Sequence, residues 1–383
     1  MLRMTPEPEM TIADKLRFTQ RELKEEYLST EHKFPWIVGF SGGKDSTLVV
    51  HLVFEMLLEL PPSERLRPVI VLANDTLVES PVLMKHLGES LERIRQGSEA
   101  LGLPIRTVKT KPPLDQTFWV NLIGRGYPAP NYQFRWCTDR MKIQPTSAFI
   151  LDEVSEFGKV ILILGVRATE SQTRAQTVAK YEGYGRLHPH PDLHGCLVFR
   201  PILEFSTQEV WLVLLQRPCP WGGSHHSLIT LYKNAEGGEC PLVIDKSQAP
   251  SCGTGSSRFG CWTCTVVEKD KSMEGMIDAG FGDLEPLLEF RDWLHTIRNN
   301  REYRQTERRN GEPGIGPFTF EARNMILEKL LLTQTKSGMS LISEPEIARI
   351  HAIWAEDAVR SANRLFDEFR KLKAEDEKHT PAF

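Results

Sequence analysis

The stretch WIVGFSGGKDSTLVV, residues 36–50, decides the fold. A short apolar run from Pro35 to Phe40 ends in SGG, and TLVVHLVFEMLLEL then reads as a buried helix. Within SGGKDS, Gly42 and Gly43 permit a tight turn and let backbone N–H groups approach an anion. The helix N-terminus behind them supplies the positive end of its dipole, and Ser41 and Ser46 add hydroxyls. This is not a Walker A loop, which needs Gly where Val38 stands and Ser or Thr where Asp45 follows Lys44. A Rossmann fingerprint is also absent. A glycine turn before a capped helix accounts for the GG pair alone, but less well for the whole hexapeptide in this setting.

Outward from that loop the chain alternates strands and helices over roughly the first 215 residues. RPVIVLAND (Arg67 to Asp75), LPIRTVKT and GKVILILGVRATES read as further strands with polar tips. SPVLMKHLGESLERIRQGSEALG reads as a helix with Ser80 as N-cap and Pro81 at its first position, and FSTQEVWLVLLQ as another opened by a Ser/Thr cap. Such alternation predicts an α/β fold, a doubly wound and mostly parallel sheet covered on both faces. Ligands of such sheets sit beyond the carboxyl ends of the strands. The tips after Phe40, Ala73 and Gly165 are therefore expected to share one site.

Four segments are expected: an N-terminal helical extension (1–30), the α/β domain (31–217), a Cys-rich segment (218–270) and a helical C-terminal region (271–383). The 383 residues carry 47 Lys+Arg against 51 Asp+Glu, a net charge of −4, which argues against a protein that coats nucleic acid nonspecifically. The longest apolar stretch, Leu48 to Leu60, is interrupted by His51, Glu55 and Glu59, so no membrane span is expected. The first residues lack the apolar core of a secretory signal, and the expected location is the cytoplasm.

Seven cysteines in a reducing compartment suggest metal or redox chemistry where they cluster. Cys240, Cys252, Cys261 and Cys264 are separated by 12, 9 and 3 residues, and the last pair forms CWTC. Thiolates at that spacing suit a tetrahedral zinc or an iron–sulfur cluster, and ligation alone does not separate the two. A thioredoxin-like CxxC leaves Cys240 and Cys252 unused. Cys196 and Cys219 read as packing residues, and HPHPDLHGC, with His188, His190 and His194, as a proline-punctuated loop rather than a second metal site.

WIVGFSGGKDSTLVV, NDTLVESP, DQTFWVNLIGRGYPAPNYQFRWCTDRMKIQP, LGVRATES, GECPLV, PSCG and RFGCWTCTVVEKDKSM, spread from residue 36 to residue 273, resemble the PP-loop ATP pyrophosphatases. Within that family they are most similar to the PAPS-reductase-like branch, and within the branch to the DndC-type DNA phosphorothioation proteins. The resemblance implies an adenine nucleotide alpha-hydrolase-like domain using ATP and Mg2+. Ser41, Gly42, Gly43, Asp45 and Ser46 would hold the β,γ-pyrophosphate and Lys44 would neutralise its charge as it leaves. Asp75 and Thr76 end the second strand beside that loop, where a carboxylate could meet magnesium or a ribose; a turn or cap role is the alternative for Asp75.

Arg135, Arg140 and Lys142 of RWCTDRMK, with Arg167 at the fourth strand's tip, would meet the α-phosphate and acidic substrate groups. A solvated helix start and a surface salt bridge are the plainer alternatives. The four clustered cysteines would hold a [4Fe–4S] cluster on the same resemblance. Cys137, among basic neighbours expected to lower its pKa, has three readings: a sulfur-carrying or substrate-facing thiol, a cluster ligand, or an ordinary buried cysteine.

The implied reaction is adenylation of a DNA backbone phosphate with release of pyrophosphate. Sulfur would come from a cysteine desulfurase, and other DNA sulfur-modification subunits would be partners. Two rivals stand beside it. A sulfonucleotide reductase needs a nucleophilic Cys in a C-terminal tail, and no Cys follows Cys264 here; a non-catalytic cluster-bearing adaptor fits poorly with an intact SGGKDS. From Arg291 to Asn310 six Arg face three acids with Trp293 and Tyr303 interleaved, which suits either a nucleic-acid grip or a solvated helix face. Residues after Glu268 look helical to the end, and Glu344 to Lys373 reads as a charged amphipathic helix.

Overall fold

The computed structural model describes residues 10–168, 185–235 and 260–379. Cys240 and Cys252, singled out above, and Glu170 and Ser171 at the end of LGVRATES lie outside the described residues. Helix α1 (Ile12–Tyr27) opens on a capping box between Thr11 and Asp14. Strand β1 (Trp36–Gly39) leads into α2 (Lys44–Glu59), β2 (Val69–Asn74) into α3 (Pro81–Ala100), and then comes β3 (Ile105–Thr110). After a long excursion the chain returns through α4 (Gln144–Phe157) and β4 (Val160–Ile163) to β5 (His188–Pro189) and β6 (Cys196–Phe199).

The six strands run in the order β3-β2-β1-β4-β6-β5. All pair in parallel except β5, which joins β6 antiparallel at the edge. The order reverses between β1 and β4, so the SGGKDS loop sits at the switch point, where such sheets bind ligands.

Alternate residues of β1 and β2 feed opposite cores, as the period of a strand demands. Trp36, Val38, Val69 and Val71 face a large core shared with α1, α2, α3 and α5 (Thr207–Gln216). Ile37, Ile70 and Leu72 face a smaller one with Ile150 of α4. Helix α2 is buried along nearly its whole length, consistent with its largely apolar sequence, in which His51 is itself buried and bonded to Glu55. Ser206 caps α5 through a capping box with Glu209. None of the described helices is long and apolar enough to cross a membrane.

A third core joins the excursion after β3 to the C-terminal helices α7 (Lys271–Asp278), α8 (Glu285–Ile297), α9 (Phe320–Ser337) and α10 (Glu344–His379). Its aromatic centre has Trp119 5.7 Å from Trp262, and Trp262 5.8 Å from Phe290, ring centre to ring centre. Thus CWTC is folded into this core through its own tryptophan.

Two sequence expectations are corrected. HPHPDLHGC is a hairpin rather than a loop: His188–Pro189 pairs with Val198 and Leu197, the His190 ring accepts the N–H groups of Asp192 and Leu193, and Cys196 opens β6. Nor is the C-terminal region helical throughout. Helix α8 ends at Ile297, and the segment beyond folds back on itself through bridges between Arg304 and Phe318 and between Glu307 and Pro313. Glycines at 311, 314 and 316 with prolines at 313 and 317 explain why no helix continues there.

The arginines of that stretch have an inward job. Arg291 is fully buried and donates to the carbonyl oxygens of Cys264, Val267 and Glu268. Arg298 reaches Thr265 O and Pro130 O, and Arg304 reaches Gly316 O and Arg298 O. Arg291 and Arg298 hold the chain leading out of CWTC and Arg304 holds the fold-back after α8, so neither a solvated helix face nor a phosphate grip describes these three. Replacing Arg291 by Leu should cost about 3 kcal/mol or more, because several buried carbonyl oxygens lose their donors. Thermal unfolding of Arg291→Leu beside the exposed-site control Arg308→Leu checks this, with only the first melting several degrees lower.

Candidate nucleotide and thiol site

The nucleotide half is built at the start of α2. Gly42 adopts φ +74°, a left-handed conformation costly to any other residue but Asn or Asp. A Cβ on Gly43 would lie 3.1 Å from the Tyr232 hydroxyl, so the loop must pass close to that side chain. Ser46 Oγ donates to Gly43 O at 3.0 Å, accepts the Ser41 N–H at 3.2 Å and touches Ser41 Oγ at 3.2 Å. The loop therefore holds its shape by itself. The Gly43 N–H meets Ser41 Oγ at 3.4 Å and the Lys44 N–H meets Tyr232 Oη at 3.3 Å, long contacts that an anion could improve upon.

Arg167 does not lie open at its strand tip. It is 3% exposed, donates to Asp45 Oδ1 at 2.6 Å and to Thr207 Oγ1 at 2.9 Å, and so ties the exit of β4 to α2 and α5. Gly165 makes this approach possible, since a Cβ there would stand 2.8 Å from the Asp45 carbonyl oxygen. Lys44 Nζ lies 3.7 Å from Asp45 Oδ2 and 5.1 Å from the centre of the Tyr232 ring.

Tyr232 was not visible from the sequence, being 188 residues from the loop it touches. It belongs to α6 (His226–Ala235), whose approach is fixed by a buried polar chain. His225 Nε2 lies 3.1 Å from His51 Nδ1, and His51 Nε2 lies 3.0 Å from Glu55 on α2. Glu55 in turn accepts from Arg217 at 2.5 Å.

The thiol half gathers at the tip of β2. Asn74 Nδ2 donates to Met141 O and Lys142 O, docking the RWCTDRMK segment onto the strand end. Asp75 acts as a turn residue: its Oδ1 accepts the Leu77 N–H at 2.9 Å, and Lys109 lies 3.4 Å from its Oδ2. Thr76, fully buried, has its hydroxyl 3.5 Å from Cys261 Sγ. CWTC closes as a turn, Cys264 N–H to Cys261 O at 3.0 Å, and the Trp262 N–H donates to Val78 O.

Cys137 is brought to this pair rather than left apart. Burial, then the neighbouring Cys264 thiol, push its pKa up, outweighing its bonds with Thr138 and the Lys142 charge. The expected low-pKa thiol is thereby corrected, and the reason is positional. Arg135 turns towards the Tyr132 ring, Arg140 towards Gln116 and Tyr127, and only Lys142 acts on the sulfur.

Burial and Glu79 also push the Cys261 thiol up. Burial opposes the Lys142 ammonium, but Cys261 and Glu79, the latter 2.9 Å away, raise its pKa overall. Cys196 and Cys219 are buried as packing residues, each pushed by burial up to about 11.

Among the described residues no group of three or more His, Cys, Asp or Glu is arranged to hold a metal ion. CWTC nonetheless fits half of a thiolate set, with two sulfurs on one turn, an apolar Trp262 shell and a buried setting that favours metal-bound over free thiolate. Carboxylates available to magnesium beside phosphate oxygens are Asp45 and Asp75.

A model of the phosphoadenosine phosphosulfate reductase domain matches residues 35–267, and the chain belongs to that family. It is 26% identical over 236 residues to an uncharacterised protein of Methanocaldococcus jannaschii, a match covering 62% of this chain and 37% of that protein. The chain thus spans little more than a third of that relative's length.

Among solved structures it is similar to the phosphoadenylyl-sulfate (PAPS) reductase from Candida auris (11% identity, TM-score 0.31, 55% of this chain and 88% of that one). It is also similar to an NH3-dependent NAD synthetase from Campylobacter jejuni (16%, TM-score 0.33, 54% and 73%). A third is the U34-tRNA thiolase NcsA from Methanococcus maripaludis with its [4Fe–4S] cluster (16%, TM-score 0.30, 58% and 74%).

Two predictions follow from this geometry. In Tyr232→Phe the Lys44 N–H loses its internal acceptor while the ring stays beneath the ammonium. Pyrophosphate affinity, read by calorimetry, should rise about 3-fold or more, in the range of one neutral hydrogen bond; an unchanged affinity would show that the hydroxyl does not compete with phosphate oxygen.

The second prediction concerns acid. Burial and His51 push the His225 imidazole down to about 4, whereas an unfolded histidine titrates near 6.5. The unfolded chain therefore takes up that proton first. The neutral ring's contribution is complete above about pH 6.5 and drains away as the pH falls towards 4. Between pH 7 and 5 this amounts to on the order of 2 kcal/mol, and His225→Asn should remove that part of the pH dependence in denaturant melts.

Proposed function

We propose that this protein is an ATP pyrophosphatase that adenylates a DNA backbone phosphate for sulfur incorporation. The observation that carries the reading is the self-braced SGGKDS cradle at the start of α2, placed at the β1/β4 switch point, with a half-buried group of thiols at the tip of the neighbouring strand β2. ATP lays its β- and γ-phosphates on the loop, where Ser41, Gly42, Gly43 and Ser46 offer N–H and hydroxyl donors. Lys44, held between Asp45 and the Tyr232 ring, swings to the leaving pyrophosphate. Asp45 or Asp75 would help hold a magnesium ion, whose chemistry there would be to neutralise charge on the phosphates.

A non-bridging oxygen of the DNA phosphate attacks the α-phosphorus, the bond to the β-phosphate oxygen breaks, and pyrophosphate departs. Lys142, with its raised pKa, stays cationic at any ordinary pH and faces the acceptor with Arg135. The outer sulfur of a persulfide delivered from a cysteine desulfurase then attacks the DNA phosphorus and displaces AMP, and a second thiol cleaves the S–S bond, leaving the phosphorothioate and a disulfide. Cys240, Cys252, Cys261 and Cys264 hold a [4Fe–4S] cluster, and other DNA sulfur-modification subunits complete the assembly. Cys137, near enough to Cys264 to feel its charge, would serve at the cluster rather than as a free nucleophile.

Product analysis of ATP turnover by anaerobically prepared protein tests this. AMP and pyrophosphate released faster with duplex DNA are expected. AMP and pyrophosphate indifferent to DNA move the acceptor to a small molecule such as a sulfonucleotide. ADP and phosphate, or no turnover, remove the adenylation reading. Lys44→Met should lower pyrophosphate release by roughly 100-fold or more, the scale of one lost charge-stabilising group. Its melting temperature should hold, because the ammonium is within 4 Å only of its own neighbour Asp45 among the described ion pairs.

A further inference from the structure

The excursion after β3 displays two bare aromatic rings on a turn that is otherwise thoroughly bonded. Tyr132 is 74% exposed and Phe134 is 44% exposed. Just before them, Asn131 Oδ1 accepts the N–H groups of Gln133 and Phe134, both at 2.9 Å, and Asn131 and Phe134 exchange backbone bonds at 3.3 Å. The base of the turn is pinned from below. Pro130 O receives Thr265 Oγ1 at 2.7 Å and Arg298 at 3.2 Å, and Pro128 O receives the Trp136 indole N–H at 2.9 Å. Rings held out on a fixed backbone cost little further ordering when they bind something.

Arginines border the rings on the same surface. The Arg135 guanidinium lies 5.2 Å from the Tyr132 ring centre. Tyr127, 6.3 Å from Phe134, carries Arg140 at 5.3 Å and Arg309 at 4.9 Å. From residue 127 to 143 there are three cations, Arg135, Arg140 and Lys142, and one acid, Asp139, in a chain whose net charge is −4. Aromatic faces interleaved with guanidinium groups are what unstacked bases and their phosphates bind. A duplex offers phosphates to such a surface but keeps its base faces stacked.

We infer that Tyr132 and Phe134 form a stacking platform for unpaired bases of the DNA substrate, so that the protein engages a locally opened strand. The inference rests on the DNA reading above and specifies its substrate as unstacked nucleotides. The platform is joined to the thiol site by the chain itself: Cys137 follows Phe134 by three residues, and Thr265, which pins the turn, follows Cys264 directly. A base seated on the rings therefore positions its own phosphate near Arg135.

The test measures binding of a fluorescein-labelled twelve-nucleotide oligothymidylate and of the matching duplex by fluorescence anisotropy, using the full chain. Wild type should bind the single strand more tightly. Tyr132→Ala/Phe134→Ala should weaken it by about 10-fold or more, the scale of one or two lost stacks, and the ratio should persist in 0.5 M salt, roughly where phosphate contacts fade. Tyr132→Phe/Phe134→Tyr, which keeps both rings, should bind like wild type.

Equal single-strand affinity in the alanine double variant overturns the inference. So does a variant that binds the oligonucleotide normally but no longer retains a cysteine desulfurase, since that would make the rings a protein-docking site. Pyrophosphate release from ATP is scored separately. Its absence beside intact, ring-dependent oligonucleotide binding would sink the adenylation reading and leave the platform standing.

Discussion

Everything about the candidate site depends on the ion pair between Arg167 and Asp45. It joins the exit of β4 to the first turn of α2 across the gap where the strand order reverses, at 2.6 Å and almost out of solvent. Such a pair adds little net stability against an apolar substitute, but removing one partner strands a buried charge at a cost of about 3–5 kcal/mol. Its value is in geometry. With Gly165 letting the β4 exit lie against the Asp45 carbonyl, the pair holds that exit against the first turn of α2. The loop's own serines then shape the cradle without drawing on Asp45.

From that point two chains of contact run to the thiols. One passes through α6: Tyr232 touches the loop, His225 fixes the helix to α2, and α7 packs so closely on the far end that a Cβ at Gly275 would come within 2.8 Å of Asn234 O. The other passes along the sheet. Phe40, entering the loop, donates to Leu72 O of β2, and two residues beyond Leu72 the Asn74 amide docks Met141 and Lys142. Neighbouring strands are about 4.8 Å apart, so the SGGKDS loop over the β1 tip and the thiols over the β2 tip occupy adjacent places along one sheet edge. This arrangement suits a chemistry in which a phosphate is activated and then meets sulfur.

The sequence was most legible where local physics and fold agree. SGGKDS between an apolar strand and an apolar helix could sit nowhere but a strand tip, and the alternation around it gave the parallel sheet. CWTC was legible as a cysteine pair of metal-ligand spacing, while its turn and the burial of Trp262 came only with the structure. What escaped was tertiary. No spacing rule connects Tyr232 to Lys44 or Glu79 to Lys142, and the pairing of β5 with β6 rests on two residues too few to show a period. The expected lowering of the Cys137 pKa fails first because the thiol is desolvated, and then because, of its basic neighbours in sequence, Arg135 and Arg140 turn to aromatic rings. Charge counts cannot reveal which way a side chain turns.

The arginines make the same point in a form that bears on function. Arg291, Arg298 and Arg304 read from the sequence as one basic stripe with Arg308 and Arg309, yet the first three spend their donors on carbonyl oxygens inside the protein. A guanidinium can satisfy several such oxygens at once, which a lysine cannot, so arginine is the residue that can brace an irregular segment from within. The segment they brace is the one leading out of CWTC. The basic surface left for a polyanion is therefore smaller than composition implies. It lies around Arg135, Arg140 and Arg309, where each guanidinium faces an aromatic ring rather than a carboxylate. An arginine paired with a carboxylate has its charge cancelled before any phosphate arrives; one resting on a tyrosine keeps it.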